Sequence, residues 1–162
     1  MHVIIEPLFP LNFRGSITIG RDLKILNTKR GPVMKNIELV NDIVTIRSMQ
    51  LTDIDAIFEA GNYSEIWTHL VVTIQSREDA ARFVEQSLLN QELGKEHPFV
   101  IIDNKTNRII GSTKLMNPDP YHNRIEIGFS WLSPAYWRSP INSNCKYLLM
   151  QYCFEVRNLN RI

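Results

Sequence analysis

The densest concentration of residues able to do chemistry lies in residues 124–146, which read R-I-E-I-G-F-S-W-L-S-P-A-Y-W-R-S-P-I-N-S-N-C-K. An alternating apolar run is followed by a Pro-containing loop and then by residues at helical spacing. A strand that feeds a helix through a short loop builds an anion site, because the first N–H groups of a helix have no partner within it. Glu126 adds a carboxylate on the strand, Arg138 a guanidinium in the loop, Ser139 and Ser143 hydroxyls, and Cys145 a thiol on the first helical turn.

Several of these groups have a plainer reading. No His or acid follows Ser139 at the spacing a serine nucleophile needs, so Ser139 reads as a backbone donor. A thiol in the first turn of a helix is acidified when exposed, but Cys145 shares an apolar face with Leu148, Leu149, Tyr152 and Val156 and reads as a packed residue. His122 reads as solvated loop beside Tyr121, His97 as the lead-in to a strand, and Trp137 as a wedge holding the loop against the domain.

Cys145 and Cys153 fall eight positions apart on one helix, so about 12 Å separates their Cα atoms, beyond disulfide reach. They read as reduced, buried thiols of a cytoplasmic protein. No His lies near either one, and no metal site is indicated. Val3-Ile4-Ile5 is interrupted by Glu6, Pro7 and Pro10, too short for a signal sequence or a membrane span. With 162 residues, 44% apolar, 22% charged and a formal net charge of +1, the chain is globular and shows no charge signature of a nucleic-acid binder. Five basic residues (Arg14, Arg21, Lys24, Lys29, Arg30) precede residue 34 against Glu6 and Asp22, a bias too mild to name a partner.

The elements that must position the junction can be taken in chain order. Residues 1–33 are cut by Pro7, Pro10, Gly15, Gly20, Gly31 and Pro32, and only residues 16–19 alternate like a strand. Met34 could equally be a translation start, so residues 1–40 are read as an irregular extension. Residues 43–49 alternate as a half-buried strand, and Thr52 caps a helix bearing Ile54, Ile57 and Phe58. Residues 62–75 divide between a short helix around Ile66, Trp67 and Leu70 and an extended run at residues 71–74. Ser76, with Asp79 three positions on, caps a second helix that Gly94 ends. Residues 99–103 and 108–115 form a hairpin across the turn at residues 104–107. Residues 117–120 (Asn-Pro-Asp-Pro) form a loop, and residues 124–132 a third strand. Asn142 or Ser143 caps a last helix to about Arg157, ended by Asn158; residues 160–162 begin a further strand. Without any family knowledge this is a mixed α+β domain with a meander and a crossover helix.

This order, with Ile125-Glu126-Ile127-Gly128 running through Leu132-Ser133-Pro134-Ala135-Tyr136-Trp137 to Asn142-Ser143-Asn144-Cys145-Lys146, resembles the GNAT superfamily of N-acetyltransferases, over residues 41–162. The nearer likeness is to the branch that includes the ribosomal-protein N-terminal alanine acetyltransferases. Thr52-Asp53-Ile54-Asp55, Phe154-Glu155 and Leu159-Asn160-Arg161-Ile162 are weaker supports. The implied fold is an α+β, mostly antiparallel sheet flanked by helices. It would lack its C-terminal strands and helix, since the family places another strand and helix after the position of Ile162.

The resemblance implies acetyl transfer from acetyl-CoA to a primary amine, with no metal. The family's pyrophosphate loop, Q/R-x-x-G-x-G/A, falls on residues 137–142, where Pro140 and Asn142 stand at the usual glycine positions. Pro140 has no N–H to offer and Asn142 adds bulk. The donors left are the N–H groups of Arg138, Ser139, Ile141, Asn142 and Ser143, with the Arg138 guanidinium as a charge-assisted supplement. The pantetheine would pair with the backbone of Ser130, Trp131 and Leu132. Glu126 is the candidate base, directly or through a water; strand parity places it on the face of Gly128 and Ser130. The competing reading is an outward-facing Glu beside Arg124. The acceptor is a protein N-terminus or a small amine, and an open sheet edge would favour self-association. A catalytically incompetent fragment of the fold, or a small peptide-binding module presenting Trp131, Tyr136 and Trp137, is the alternative.

Overall fold

In the computed structural model, residues 15–19 and 36–162 are described. Six antiparallel strands form one sheet in sequence order: β1 Gly15–Ile19, β2 Ile37–Asn41, β3 Val44–Ser48, β4 Glu96–Asp103, β5 Arg108–Asp119 and β6 Arg124–Leu132. Between β3 and β4 come α1 (Ile54–Gly61) and α2 (Arg77–Glu92); after β6 comes α3 (Ile141–Gln151). The expected meander and crossover helix are present, and so is the strand anticipated at residues 16–19. Strand β2 adds a regular element within the stretch expected to be irregular. The suggested start at Met34 lies outside the described residues.

Period-2 alternation divides the core into two halves. Phe99 and Ile101 of β4 join Leu39, Ile46, Leu115, Cys145, Leu148 and Leu149 on the α3 side. Val100 joins Ile57, Trp67, Ile74, Phe83, Val84 and Trp131 on the side of α1 and α2. Strand β4 is buried on both faces, which explains why Phe99-Val100-Ile101-Ile102 is apolar without interruption. Among the described residues, no helix is long and apolar enough to cross a membrane.

Several local expectations change. Thr52 is not a cap: a 3-10 turn at Leu51–Asp53 precedes α1, and the Gln50 N–H donates to Asp53 Oδ2 at 2.8 Å. Asp53 wins that role because Arg47 holds its carboxylate from both nitrogens, at 2.8 and 2.7 Å. The short helix anticipated around Ile66 is a 3-10 segment, Ser64–His69. The run at residues 71–74 forms no strand; Val71 is 95% exposed while Ile74 is fully buried. Residues 117–119 belong to β5 after all. Met116 pairs with Glu126 and Asp119 with Arg124, so Asn117 and Pro118 face Ile125 alone. At such a bulge a proline costs no ladder hydrogen bond, and Asn117 takes the left-handed φ of 49°.

Helix α3 starts at Ile141 rather than after Asn142 or Ser143. Pro140 already has helical angles (φ −69°, ψ −6°), and its carbonyl accepts from Asn144 N at 3.0 Å. Past Gln151 the helix widens into a π turn, Tyr152–Val156. The extra residue in that turn rotates the residues after it, so Val156 is exposed rather than buried. Asn158, at φ 52°, ends the segment as expected. Arg161 then bridges Arg124 in parallel, with Ile125 N donating to Arg161 O at 3.3 Å.

The start of α2 is the capping box that its sequence announces. Asp79 N donates to Ser76 Oγ (3.1 Å), while Asp79 Oδ2 accepts from Ser76 N (2.9 Å) and Ser76 Oγ (2.8 Å). Hydrogen bonds from the Ser76 side chain and from the Gln75 backbone hold the Asp79 carboxyl below the usual carboxylate range. A folded-state pKa below the unfolded one adds stability that is present above the unfolded pKa and is lost as pH falls through the folded one. Asp79→Ala should therefore lower the urea midpoint at neutral pH, with the gap to wild type closing under acid. An equal gap at both pH values would show that the carboxylate charge contributes nothing.

Candidate active site

The strand–loop–helix junction at residues 124–146 is a tied-down structure. A single 3-10 turn, Pro134–Tyr136, leads from β6 to the loop before α3. Ser133 Oγ donates to Ala60 O at 2.7 Å, fastening the end of β6 to α1. Trp137 Nε1 donates back to Leu132 O at 2.8 Å, so the indole does wedge the loop against its own strand. The Tyr136 hydroxyl reaches Asp103 Oδ2 at 3.3 Å. Burial alone would raise the pKa of Asp103; the Lys105 N–H and the Thr106 and Tyr136 hydroxyls outweigh it and hold the group ionised below the usual range.

The far side of the loop is held by two asparagines. Asn144 Nδ2 donates to Pro140 O (2.8 Å), Asn144 Oδ1 accepts from Asn41 Nδ2 (2.8 Å), and Asn41 Oδ1 accepts from the N–H groups of Ile43 and Val44, both at 2.9 Å. Asn41 and Asn144 are both buried, with every side-chain donor and acceptor group of this chain of contacts engaged, the condition under which buried amides stabilise rather than cost. The network fixes the N-terminus of α3 to the β2–β3 turn.

Within this frame the five anticipated backbone donors separate into two sets. Ser139 N turns inward to Tyr136 O (3.4 Å) and Ile141 N to Ser139 Oγ (3.4 Å), while Ser139 Oγ itself donates to Tyr136 O at 2.6 Å. Among the described residues, the N–H groups of Arg138, Asn142 and Ser143 have no hydrogen-bond partner. Three free donors around a helix N-terminus are the arrangement that accepts an oxyanion or phosphate. The conformational demand falls in an unexpected place. The residue forced into the left-handed region is Arg138, at φ 58°, not Pro140 or Asn142.

A cavity of about 380 Å³ opens beside the loop, lined by Ser130, Trp131 and Leu132 of β6, by Tyr136, Trp137, Arg138 and Asn142, and by Ile66, His69 and Leu70 from the segment after α1. It is of a size that takes a small molecule or cofactor arm. It therefore joins the three β6 residues and two of the loop residues singled out in the sequence to a wall that the sequence left ambiguous.

Glu126 lies elsewhere on the strand. It is exposed and accepts from Asn117 Nδ2 at 2.9 Å. The expected shared face with Ser130 fails because β6 bulges. Gly128 pairs with Lys114 and Trp131 with Ser112, so Phe129 and Ser130 together face Thr113, and Phe129 takes a φ of 50°. Phe129 stacks on Phe83 of α2 (6.0 Å between centroids). Ser130 instead meets Thr113 Oγ1 at 2.7 Å and accepts from Lys146 Nζ of α3. Ile125 and Ile127 pack on the α3 side, which puts Glu126 on the opposite face from Ser130.

Thr113 and Lys146 were not singled out in the sequence. Lys146 was legible in principle, since it follows Asn142 by four positions and so shares its helix face. Thr113 was not, because its relation to Ser130 depends on strand register. His97, read as a strand lead-in, is a buried member of β4 between Ser48 Oγ (3.0 Å) and Gln91 Nε2 (2.9 Å). Lys114 is likewise buried, paired with Glu96 at 2.6 Å and 5.0 Å from the ring centroids of both Phe83 and Phe129. Cys145 and Cys153 are free and buried; burial pushes their thiols up to about 12 and about 11. Among the described residues no group of three or more His, Cys, Asp or Glu is arranged to hold a metal ion.

An antiparallel sheet between two helical layers, with a bulged strand leading into a helix that carries two free N–H groups in its first turn, defines the acetyltransferase class to which the sequence motifs pointed. Residues 44–162 match the family described as Acetyltransferase (GNAT) domain, and the chain belongs to that family. It is 29% identical over 125 residues to the uncharacterized N-acetyltransferase p20 of Bacillus licheniformis, a match covering 76% of this chain and 70% of the relative. In fold it resembles a GCN5-related N-acetyltransferase from Brucella melitensis (TM-score 0.69, 23% identity, 77% of this chain and 57% of that one). It also resembles the ribosomal-protein-S5-alanine acetyltransferase from Vibrio fischeri (TM-score 0.59, 16% identity, 76% and 70%). A third likeness is to an acetyltransferase from Salmonella typhimurium that modifies the N-terminal serine of a 50S ribosomal subunit protein (TM-score 0.60, 19% identity, 78% and 67%). The chain thus spans little more than half the length of the Brucella protein.

The geometry at Arg138 makes a testable statement. A left-handed non-glycine residue costs about 1 kcal/mol, and among the described residues no hydrogen bond or ion pair of the Arg138 side chain offsets it. Arg138→Gly should raise the unfolding free energy by up to about 1 kcal/mol, less the entropy that glycine adds to the unfolded chain. A lower midpoint in denaturant would mean that the Arg138 side chain makes a net stabilising contribution.

Proposed function

We propose that this protein transfers an acetyl group from acetyl-CoA to a primary amine. The observation that carries the reading is the set of unpartnered N–H groups at Arg138, Asn142 and Ser143, beside the cavity and at the end of the strand that the family uses as its pantetheine rail. In this reading the pyrophosphate sits on those three donors, with the Arg138 guanidinium supplying charge. The turn made by Ser139 and Ile141 shapes the cradle and contributes no direct donor. The pantetheine follows the backbone of Ser130, Trp131 and Leu132, whose N–H groups also polarise the thioester carbonyl.

The acceptor is a chain-terminal α-amine or a small-molecule amine. With a pKa of about 8, an α-amine is already partly neutral near pH 7, whereas a lysine at about 10.4 needs a stronger base. Glu126, exposed and oriented by Asn117, takes the proton through a water. The two relatives that act on ribosomal proteins support a protein N-terminus as acceptor. Two reduced thiols are consistent with the cytoplasm, and an open sheet edge is the surface through which copies would associate.

The test is release of free CoA thiol when the protein is mixed with acetyl-CoA and a panel of amines that includes peptides with free Ala and Ser N-termini. Turnover on at least one amine is expected. Calorimetric binding of CoA with no thiol release on any of them would favour a binding module instead. Given turnover, Glu126→Gln should lower kcat by about 10²–10⁴-fold near neutral pH, with the loss shrinking as the amine deprotonates at higher pH. An unchanged rate across that range would remove Glu126 from the mechanism.

A further inference from the structure

Lys146 is a cation without an anion. It is half-buried on the second turn of α3, and none of the ion pairs among the described residues includes it. Its ammonium donates to Ser130 Oγ, in the bulge of β6. Ser130 Oγ lies 2.7 Å from Thr113 Oγ1, and its other neighbour, Gly128 O, is 3.4 Å away. When the fully buried Thr113 donates to Ser130, the Ser130 hydroxyl accepts two hydrogen bonds and its own proton is left with only that long contact. In that orientation a part-buried ammonium feeds a hydroxyl whose own proton is available for transfer, on the strand that lines the cavity.

We propose that Ser130, backed by Lys146, is the acid that protonates the departing CoA sulfur. The inference rests on the acetyl-CoA reading. As the acceptor amine adds to the thioester carbonyl and the intermediate collapses, the carbon–sulfur bond breaks and its electron pair passes to sulfur. The Ser130 O–H proton goes to that sulfur, and a Lys146 N–H proton replaces it on Ser130. Lys146 then recovers a proton from solvent, which has received the one lost by the amine, so the products are the amide and the CoA thiol. Ser130 is the catalytic contact; Lys146 positions and recharges it.

The surroundings suit the task. Burial lowers the pKa of Lys146, which makes the ammonium a readier donor. On α3 the neighbouring titratable groups are Cys145, which burial keeps neutral, and the uncharged phenol of Tyr147. From β5 and β6 the facing groups, Thr113 and Ser130, are uncharged, and Lys114 is paired with Glu96 on the opposite face. Among the described residues, no carboxylate therefore competes for the Lys146 proton.

The test begins without turnover, by titrating the thiol of CoA bound to wild type and to Lys146→Met, read by thiolate absorbance. A cation held near sulfur should lower the bound thiol's pKa, so the thiolate fraction at a fixed pH below that pKa should be roughly tenfold higher in wild type than in the variant. In steady state, Lys146→Met and Ser130→Ala should each lower kcat by about 10²-fold with little change in the KM for acetyl-CoA. Wild-type kcat should fall at alkaline pH as Lys146 loses its proton, and Lys146→Arg should move that limb upward. Equal thiol titrations in wild type and Lys146→Met would overturn the proposal while leaving the acetyl-CoA reading intact. So would a raised KM with kcat unchanged, which would make Lys146 a binding contact. Failure of wild type to bind CoA at all would sink both.

Discussion

One extra residue in β6 decides how this molecule divides its labour. Between Gly128 and Trp131 the strand carries two residues where β5 carries one, and the left-handed turn at Phe129 absorbs the difference. Before the bulge, Ile125 and Ile127 face α3; after it, Ser130 and Leu132 do, while Phe129 and Trp131 face α1 and α2. Had the strand continued in register, each side chain beyond Gly128 would point to the opposite layer. Trp131 could not then pack against Trp67 and Phe83, and Ser130 could not meet Lys146.

The bulge is held from both sides. On one face Phe129 lies over Phe83 with the Lys114 ammonium 5.0 Å from each ring, a contact made stronger by desolvation. On the other, the Thr113 hydroxyl and Lys146 converge on Ser130. The loop after β6 is fixed with equal redundancy, by Trp137 to its own strand, by Tyr136 to the end of β4, and by the asparagine pair to the β2–β3 turn. The free N–H groups of Asn142 and Ser143 in the first turn of α3 are therefore held in place by the fold itself.

The features legible in the chain were those that local chemistry specifies. The Ser76–Asp79 box, the glycine after α2, the turn before β5 and the alternation of β3, and of β6 as far as Gly128, depend on neighbours within a few residues. The features that escaped depend on pairing between distant segments. Both bulges, at residues 117–118 and at 129–130, are mismatches between β5 and β6, and neither strand signals them alone. The same holds for Arg138: the residue at the left-handed position is ordinarily a glycine, and its replacement removed the sign by which the turn would be found. The π turn at the end of α3 moved Val156 off a face that strict helical spacing had assigned to it.

The burial of Cys145 and Cys153 has a practical side. Both thiols are packed inside the α3 layer, and their acidity is suppressed to about 12 and about 11, so almost none of either exists as the thiolate that reacts with disulfides and electrophiles near neutral pH. A folded preparation without added thiols therefore reacts slowly with thiol reagents, and a maleimide or a disulfide dye can serve there as a gauge of unfolding.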